Sequence, residues 1–346
     1  MTVLDTVGMF GLAEEFPEQV EAAAKAAGEL DGLPSAAEIS SVVVLGMGGS
    51  GMAGEVVLAT AAPFMGVPVV ISKSYECPAF VGEDTLVFAI SASGNTEETI
   101  QAASEAAVAG ARMVVVTAGG ELARLGAAWG AALVAVPPEI PQPRAALGAM
   151  AVPPLVALES VGLFPGAGQW IQLAVDQLKR RRDALVGAGS SGAAAKVAER
   201  IGRTIPLIHG GGAVGATAAQ RWKTQVNENA KAPAFWSSQP ELCHNEVCGW
   251  GQHGDVTRQV ITAVALRHDA EHPQVSRRFE LVGELLREVV SDVIEVRAEG
   301  EGDLAQLLDL IYFGDHVSLW MAAAAGVDPG PVPVLVDLKR QLSGEA

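Results

Sequence analysis

A short polar loop in the first half of the chain has the residue types that bind a phosphate group. It follows the apolar run at residues 85–91 and precedes an Ala-rich helical pattern that begins with two acids. Its hydroxyl side chains belong to Ser91, Ser93 and Thr96. A helix N-terminus presents unpaired backbone N–H groups and the positive end of the helix macrodipole, so such a loop holds a phosphate without any lysine. One hydroxyl group is enough to cap the helix, and three therefore favour a binding loop.

A glycine-rich loop, GMGGSG at residues 46–51, follows an earlier apolar run. Its spacing matches the G-x-G-x-x-G pattern of dinucleotide-binding turns, which also need an acid at the end of the next strand. Ser72 and Lys73 occupy that strand end instead. We therefore predict that NAD is not bound and that the loop closely approaches a smaller ligand, because glycine imposes no side chain. No other cofactor is predicted. The ligand-binding candidates of this loop are Gly48, Gly49 and Ser50.

A carboxylate in the second half of the chain is suited to general base catalysis. Glu228 lies near the end of the helical pattern that follows the GGG turn, and this helix must stop before Pro233. The negative end of a helix disfavours an ionised carboxylate, which suits a base that accepts a proton near neutral pH. The alternative interpretation is a surface ion pair between Glu228 and Lys231.

Two further residues have side chains suited to proton transfer and to charge stabilisation. His244 suits proton transfer near neutral pH, although a lone histidine is often structural. The cysteines beside it, Cys243 and Cys248, match no common zinc-ligand spacing, so no metal site is predicted. Arg144 lies between prolines and a predicted helix, and a planar, permanently charged guanidinium on a stiff segment suits a developing oxyanion. A solvated surface arginine is the alternative.

The elements that must position these residues alternate between strands and helices. Strands are predicted at 42–46, 67–72, 85–91, 112–117, 132–137, 203–212, 259–266 and 291–298, and long helices at 169–186 and 303–326. This alternation predicts an α/β fold with parallel sheets flanked by helices. Each half begins with a strand that enters a glycine-rich turn, so we predict two similar domains, residues 1–165 and 166–346.

Composition excludes several classes of protein. The chain has 346 residues, 49% hydrophobic and 18% charged, which argues against disorder. A formal net charge of −17 argues against nucleic-acid binding. The sequence has no uninterrupted apolar run long enough to predict a membrane span. The N-terminal residues lack the basic region of a secretory signal. Three cysteines are too few for a disulfide scaffold, so a cytoplasmic location is expected.

Several motifs together resemble a known enzyme family. GGSG after one strand and SASGNT after another resemble the SIS (sugar isomerase) domain. QPRAALGAM (142–150), NENAK (227–231) and CHNEVCGW (243–250), with DP and LKRQL near the C-terminus, resemble the bifunctional phosphoglucose/phosphomannose isomerase family along nearly the whole chain. The resemblance implies two tandem SIS domains and reversible interconversion of glucose 6-phosphate and mannose 6-phosphate with fructose 6-phosphate. It also implies a metal-independent cis-enediolate mechanism, in a homodimer with active sites near the subunit interface.

The resemblance assigns roles to four residues. Glu228 is the expected isomerisation base, and His244 is the expected ring-opening residue. Arg144 is expected to stabilise the enediolate, and Lys339 is expected to assist at the sugar ring. By its local sequence alone, Lys339 would be a solvated residue of a terminal helix.

Two positions depart from the family pattern. Ala92 stands where an aromatic residue is usual, and Gly330 where a threonine commonly follows Asp-Pro.

Two other functions are alternatives: a sensor that binds a phosphosugar without turnover, and an isomerase of another phosphosugar. A sensor has no reason to keep all four residues.

Overall fold

Two parallel β-sheets form the framework of the computed structural model, which describes residues 3–342. The first sheet has the order β2-β1-β3-β4-β5 and the second the order β7-β6-β8-β9, with every pairing parallel. The strands are β1 (Ser41–Leu45), β2 (Val69–Ser72), β3 (Thr85–Ser91), β4 (Arg112–Thr117), β5 (Ala132–Ala135), β6 (Ile205–Gly211), β7 (Phe235–Gln239), β8 (Ile261–Arg267) and β9 (Asp292–Arg297). The predicted α/β class is confirmed.

Helices cover the sheets and connect their strands. They are α1 (Met9–Glu14), α2 (Phe16–Ala27), α3 (Gly48–Thr60), α4 (Glu97–Val108), α5 (Gly120–Trp129), α6 (Leu147–Val161), α7 (Ala167–Ala188), α8 (Ala193–Ile201), α9 (Gly212–Asn229), α10 (Gly254–Val260), α11 (Pro273–Leu286), α12 (Asp303–Ala325) and α13 (Pro333–Leu342). Short 3-10 helices include Pro143–Ala146 and Glu241–His244. The long helices predicted at 169–186 and 303–326 correspond to α7 and α12.

Strands β1 and β3 are buried along their whole length, as expected for apolar strands with a helical layer on each face. Strand β7 was not predicted. It lies at the edge of the second sheet, and its Phe235 and Trp236 are exposed, so its sequence lacks the apolar run of a buried strand.

The two halves share one continuous cluster of buried apolar side chains. It includes Val42 and Phe88 of the first sheet as well as Ile208 and Val264 of the second. Helix α12 packs on α7 and α9, and α3 packs on both α6 and α9, so helices join the sheets. The domain boundary between residues 165 and 166 stays a prediction.

One helical segment, residues 143–161, has the length and apolar composition of a membrane span among the residues described. Within it, 78% of the apolar window is buried in the protein, and the helix packs against α2 and α3. It therefore has the position of a core helix.

The first four strands of each sheet have the same order, 2-1-3-4, when each sheet is numbered from its own first strand. In this order the connections leave the two central strands in opposite directions, which opens a crevice at their carboxyl ends. The crevice lies after β1 and β3 in the first sheet and after β6 and β8 in the second. At the second crevice, Gly210 packs directly on Gly215 and the His268 ring bonds to the Gly211 carbonyl. The first crevice is open.

Candidate active site

The open crevice is a cavity of about 700 Å³ at the carboxyl ends of β1 and β3. Four segments line it: the start of α3, the start of α4, the proline-rich segment before α6, and the C-terminal residues from 331 to 339. The end of α9 contributes a carboxylate. Its polar and glycine residues include Gly48, Gly49, Ser50, Ser93, Thr96, Arg144, Glu228 and Lys339.

The N-termini of α3 and α4 both face this cavity, so two helix macrodipoles present their positive ends to it. Gly48 has φ +53°, a left-handed conformation that a side chain disfavours, and nothing lies within 4 Å of where its Cβ would be. A Cβ on Gly49 would lie 3.2 Å from the carbonyl oxygen of Pro143. Glycine at these positions therefore keeps the helix start open to a ligand and close to the neighbouring segment.

The serine residues of the two loops have different surroundings. Ser93 is exposed at the cavity, whereas Ser91 is fully buried and does not line it. The Ser91 hydroxyl lies 2.8 Å from that of Thr96 and accepts a hydrogen bond from the Gly94 N–H, so it fixes the loop. The Ser50 hydroxyl accepts a hydrogen bond from the Ala92 N–H at 3.3 Å and thereby joins the two loops.

The guanidinium of Arg144 is buried, and all five of its N–H donors have partners. Nε donates to Asn229 at 2.8 Å, and Nη1 donates to Gln142 at 2.9 Å and to Glu228 at 3.4 Å. Nη2 donates to the carbonyl oxygens of residues 329 and 330 at 2.6 and 2.7 Å. Burial lowers the pKa of Arg144, and the nearby Glu228 carboxylate opposes that shift.

Glu228 lies in the last turn of α9 with its side chain 30% exposed to the cavity. Its carboxylate pairs with Arg144, whereas the Lys231 ammonium donates to the main-chain oxygen of Glu228. The Glu228 carboxylate therefore pairs with Arg144 at the cavity, whereas the alternative interpretation placed it in a surface ion pair with Lys231.

Lys339 lines the cavity from α13, a helix whose residues are exposed along its length. His244 does not line the cavity. It lies exposed at the end of the Glu241–His244 turn after edge strand β7. The structure thus brings three of the four candidate catalytic residues to one cavity.

The sequence did not indicate the contacts of Gln142, Pro329 and Gly330 with Arg144. Two of these contacts are to main-chain carbonyl oxygens, which any residue type can provide. The QPRA motif does not indicate that its glutamine side chain accepts a hydrogen bond from its arginine. The NENAK motif did contain Asn229, whose side chain bridges Arg144 and Ser318.

Within residues 3–342, no group of three or more His, Cys, Asp or Glu side chains has the arrangement of a metal site. Among these residues the three cysteines are free thiols. Catalysis without a metal stays a prediction.

Comparison with known proteins agrees with the fold. The family model described as "Bacterial phospho-glucose isomerase C-terminal SIS domain" matches residues 191–342, and the model described as "SIS domain" matches residues 37–137. The tagatose-6-phosphate ketose/aldose isomerase of Escherichia coli superposes with a TM-score of 0.67 at 15% identity, over 94% of this chain and 95% of its own. At that identity the likeness shows the fold.

Sequence relatives define the family. The bifunctional phosphoglucose/phosphomannose isomerase of Caldicellulosiruptor bescii is 32% identical over 97% of this chain and 99% of its own length. The enzyme of the same name from Aquifex aeolicus is 32% identical over 88% of this chain and 91% of its own. The chain therefore belongs to the bifunctional phosphoglucose/phosphomannose isomerase family.

Proposed function

We propose that this protein interconverts glucose 6-phosphate and mannose 6-phosphate with fructose 6-phosphate through a cis-enediolate. The observation that carries the proposal is a single cavity in which two helix N-termini face the Glu228–Arg144 pair. The helix ends suit a phosphate, and the pair suits proton transfer beside a developing oxyanion.

The phosphate group binds at the starts of α3 and α4. With a net charge of −17, the protein as a whole repels an anion, so attraction must come from local donors. Backbone N–H groups at Gly48 and Gly49 and the hydroxyls of Ser93 and Thr96 supply these donors. Ser91 and Ser50 support them by holding the two loops together.

Glu228 removes the proton from C2 of the open-chain aldose. The electrons of the broken C2–H bond form the C1–C2 double bond, and the carbonyl oxygen becomes the enediolate oxyanion. Return of the proton to C1, with a proton transferred from O2 to O1, gives the ketose. Arg144 stabilises the oxyanion by exchanging its long Nη1 contact with Glu228 for one with the substrate.

Turnover of both epimers requires that the proton at C2 reach the same base from either configuration. Rotation about C2–C3 before proton transfer meets this requirement. The cavity volume of about 700 Å³ supports the proposal that the bound substrate rotates in this way.

We infer that the protein is a homodimer and that a second copy supplies His244, the ring-opening residue. His244 is exposed and lies outside the wall of the cavity in its own chain. Two exposed apolar surfaces support association: the pair Phe235 and Trp236 close to His244 in sequence, and helix α13 beside the cavity. The exposed apolar side chains of α13 are Val334, Leu335, Val336, Leu338 and Leu342.

A coupled assay on chelator-treated protein tests the proposed activity. Glucose 6-phosphate formation is measured from fructose 6-phosphate and from mannose 6-phosphate, for the wild type, Glu228→Gln and Glu29→Gln. The control replaces an exposed carboxylate that follows α2. We expect the wild type and the control to turn over both sugars, and Glu228→Gln to lose about 10³-fold in kcat.

Two results would contradict the proposal. Binding of either sugar without turnover by the wild type would make the protein a phosphosugar sensor. Turnover of neither hexose phosphate, with turnover of a heptulose or amino-sugar phosphate, would assign the same chemistry to another substrate.

Mixed dimers test the origin of His244. In a dimer of one Glu228→Gln chain and one His244→Ala chain, a site that takes His244 from the partner has both wild-type residues. After unfolding and refolding of an equal mixture, this arrangement restores about a quarter of wild-type activity, because half of the dimers are mixed and each has one intact site. If each chain supplies its own His244, the mixture stays inactive.

A further inference from the structure

Lys231 has a backbone conformation that is unusual for its residue type. Its φ is +54°, and among residues 3–342 it is the one non-glycine residue with positive φ. It follows the last residue of α9 by two positions, where a left-handed residue ends many helices and glycine is preferred. A lysine here is strained, and strained residues concentrate at functional sites.

The Lys231 side chain joins two segments of the candidate active site. Its ammonium donates to the main-chain oxygen of Glu228 in the last turn of α9, and to the carbonyl oxygen of Pro329 at 3.1 Å. The same Pro329 carbonyl accepts a hydrogen bond from Arg144 at 2.6 Å. Lys231 therefore connects the main chain of the base to the carbonyl that holds the arginine.

The charged groups around Lys231 come from three segments. Arg144 lies on the 3-10 helix before α6, Glu228 on α9, and Asp328 on the segment after α12. Burial lowers the pKa of Lys231, and Arg144 adds to this effect, while Asp328 and Glu228 oppose it. The amine consequently loses its proton at a lower pH than an ordinary lysine.

We propose that Lys231 is a positioning residue of the isomerisation site, whose ammonium fixes the last turn of α9 to the Pro329–Gly330 segment. It thereby sets the distance between the Glu228 carboxylate and the Arg144 guanidinium. The inference rests on the proposed isomerase function. Lys231 itself does not line the cavity, so it acts through these two residues.

A purely structural role as a helix terminator makes the opposite prediction for one variant. Glycine adopts positive φ without strain, so Lys231→Gly relieves the backbone while it removes the ammonium. If Lys231 only ends the helix, this variant keeps full activity. If the ammonium positions the site, activity falls while stability is maintained or rises.

The experiment compares Lys231→Gly, Lys231→Met and Lys231→Arg with the wild type in full-length protein. Lys25→Met, which removes an exposed lysine from the last turn of α2, controls for the change in net charge. We expect kcat for fructose 6-phosphate to fall by roughly tenfold or more in the Gly and Met variants, with a smaller change in KM. The melting temperature of Lys231→Gly should stay at or above that of the wild type.

Two readouts separate positioning from stability. Propylammonium should restore part of the lost kcat in Lys231→Gly, whereas tetramethylammonium, which has no N–H donor, should not. The alkaline limb of the kcat profile should move to higher pH in Lys231→Arg, because a guanidinium stays protonated where this amine does not.

Unchanged kcat in Lys231→Gly would overturn the inference while leaving the isomerase intact. An alkaline limb that is the same in the wild type and Lys231→Arg would also overturn it. Absence of turnover in the wild type would instead contradict the proposed function.

Discussion

The Nη1 atom of Arg144 lies 3.4 Å from a carboxylate oxygen of Glu228, and this is the longest of the five hydrogen bonds that the guanidinium makes. The other four bonds fix the arginine to its surroundings. The long one joins the candidate base to the candidate oxyanion stabiliser, and it is the contact that costs least to exchange for a substrate oxygen.

We predict that Arg144→Lys lowers kcat for fructose 6-phosphate by about 10²-fold, because one ammonium cannot keep four structural bonds and also meet an oxyanion. It should also lower the free energy of unfolding by roughly 1–3 kcal/mol, since buried acceptors lose their donors. Steady-state kinetics and urea unfolding measure the two effects. Wild-type kcat in a folded Arg144→Lys protein would remove the arginine from the mechanism.

The phosphate loop predicts a change in binding and not in chemistry. Ser93→Ala removes an exposed hydroxyl at the cavity, so KM for fructose 6-phosphate should rise roughly tenfold with kcat nearly unchanged. Ser104→Ala is a matched control, because the Ser104 hydroxyl bonds to the main chain of the same helix, α4. Weaker competitive inhibition by inorganic phosphate in Ser93→Ala alone would place the phosphate at this loop. Equal inhibition constants would exclude that position.

The glycine at position 330 is explained by its neighbour in space. A Cβ on Gly330 would lie 2.2 Å from Cγ2 of Val7, so Val7 fills the space of the missing side chain. Gly330→Ala should therefore lower the free energy of unfolding by about 1–3 kcal/mol through overpacking. The double variant Val7→Ala/Gly330→Ala should lose less than the sum of the two single variants, because alanine lacks Cγ2. Additive losses would show that the two positions do not interact.

The sequence predicted most of the fold because buried parallel strands have a distinctive composition. Strands β1 and β3 consist mainly of apolar residues, and glycine-rich or serine-rich turns mark their carboxyl ends. Strand β7 has no such signal, because its sequence FWSSQ has only two apolar residues, and both are exposed. The apolar run by which the other strands were recognised is therefore missing from β7.

The candidate site was predicted in its residue types and not in its contacts. Arg144 and the Gly330 carbonyl are 186 positions apart, and no local spacing indicates that they meet. Ser91 was expected to contact the phosphate, but its hydroxyl forms hydrogen bonds with the Thr96 hydroxyl and the Gly94 N–H. Whether a hydroxyl faces the cavity or the loop depends on side-chain direction, which residue type does not determine.

A buried histidine makes stability depend on pH. His316 is 3% exposed on α12, packs its ring 4.7 Å from that of Tyr312, and has a buried Nε2 without a hydrogen-bond partner within the residues described. Burial lowers the pKa of His316 from 6.5 to about 4. Between these two values the unfolded chain binds a proton that the folded protein does not. The contribution of His316 to stability is therefore complete above pH 6.5 and is lost as the pH falls toward 4.

The loss attributable to His316 amounts to roughly 3 kcal/mol over this range, from the size of the shift. His316→Leu, which has a similar volume and no titrating group, should remove this contribution. Urea unfolding of both proteins at several pH values between 4 and 7 gives the difference in unfolding free energy at each pH. Acidic residues affect both proteins equally, so the difference isolates the histidine. We expect the wild type to lose stability more steeply than the variant as the pH falls, and parallel curves would mean that folding does not lower the pKa of His316.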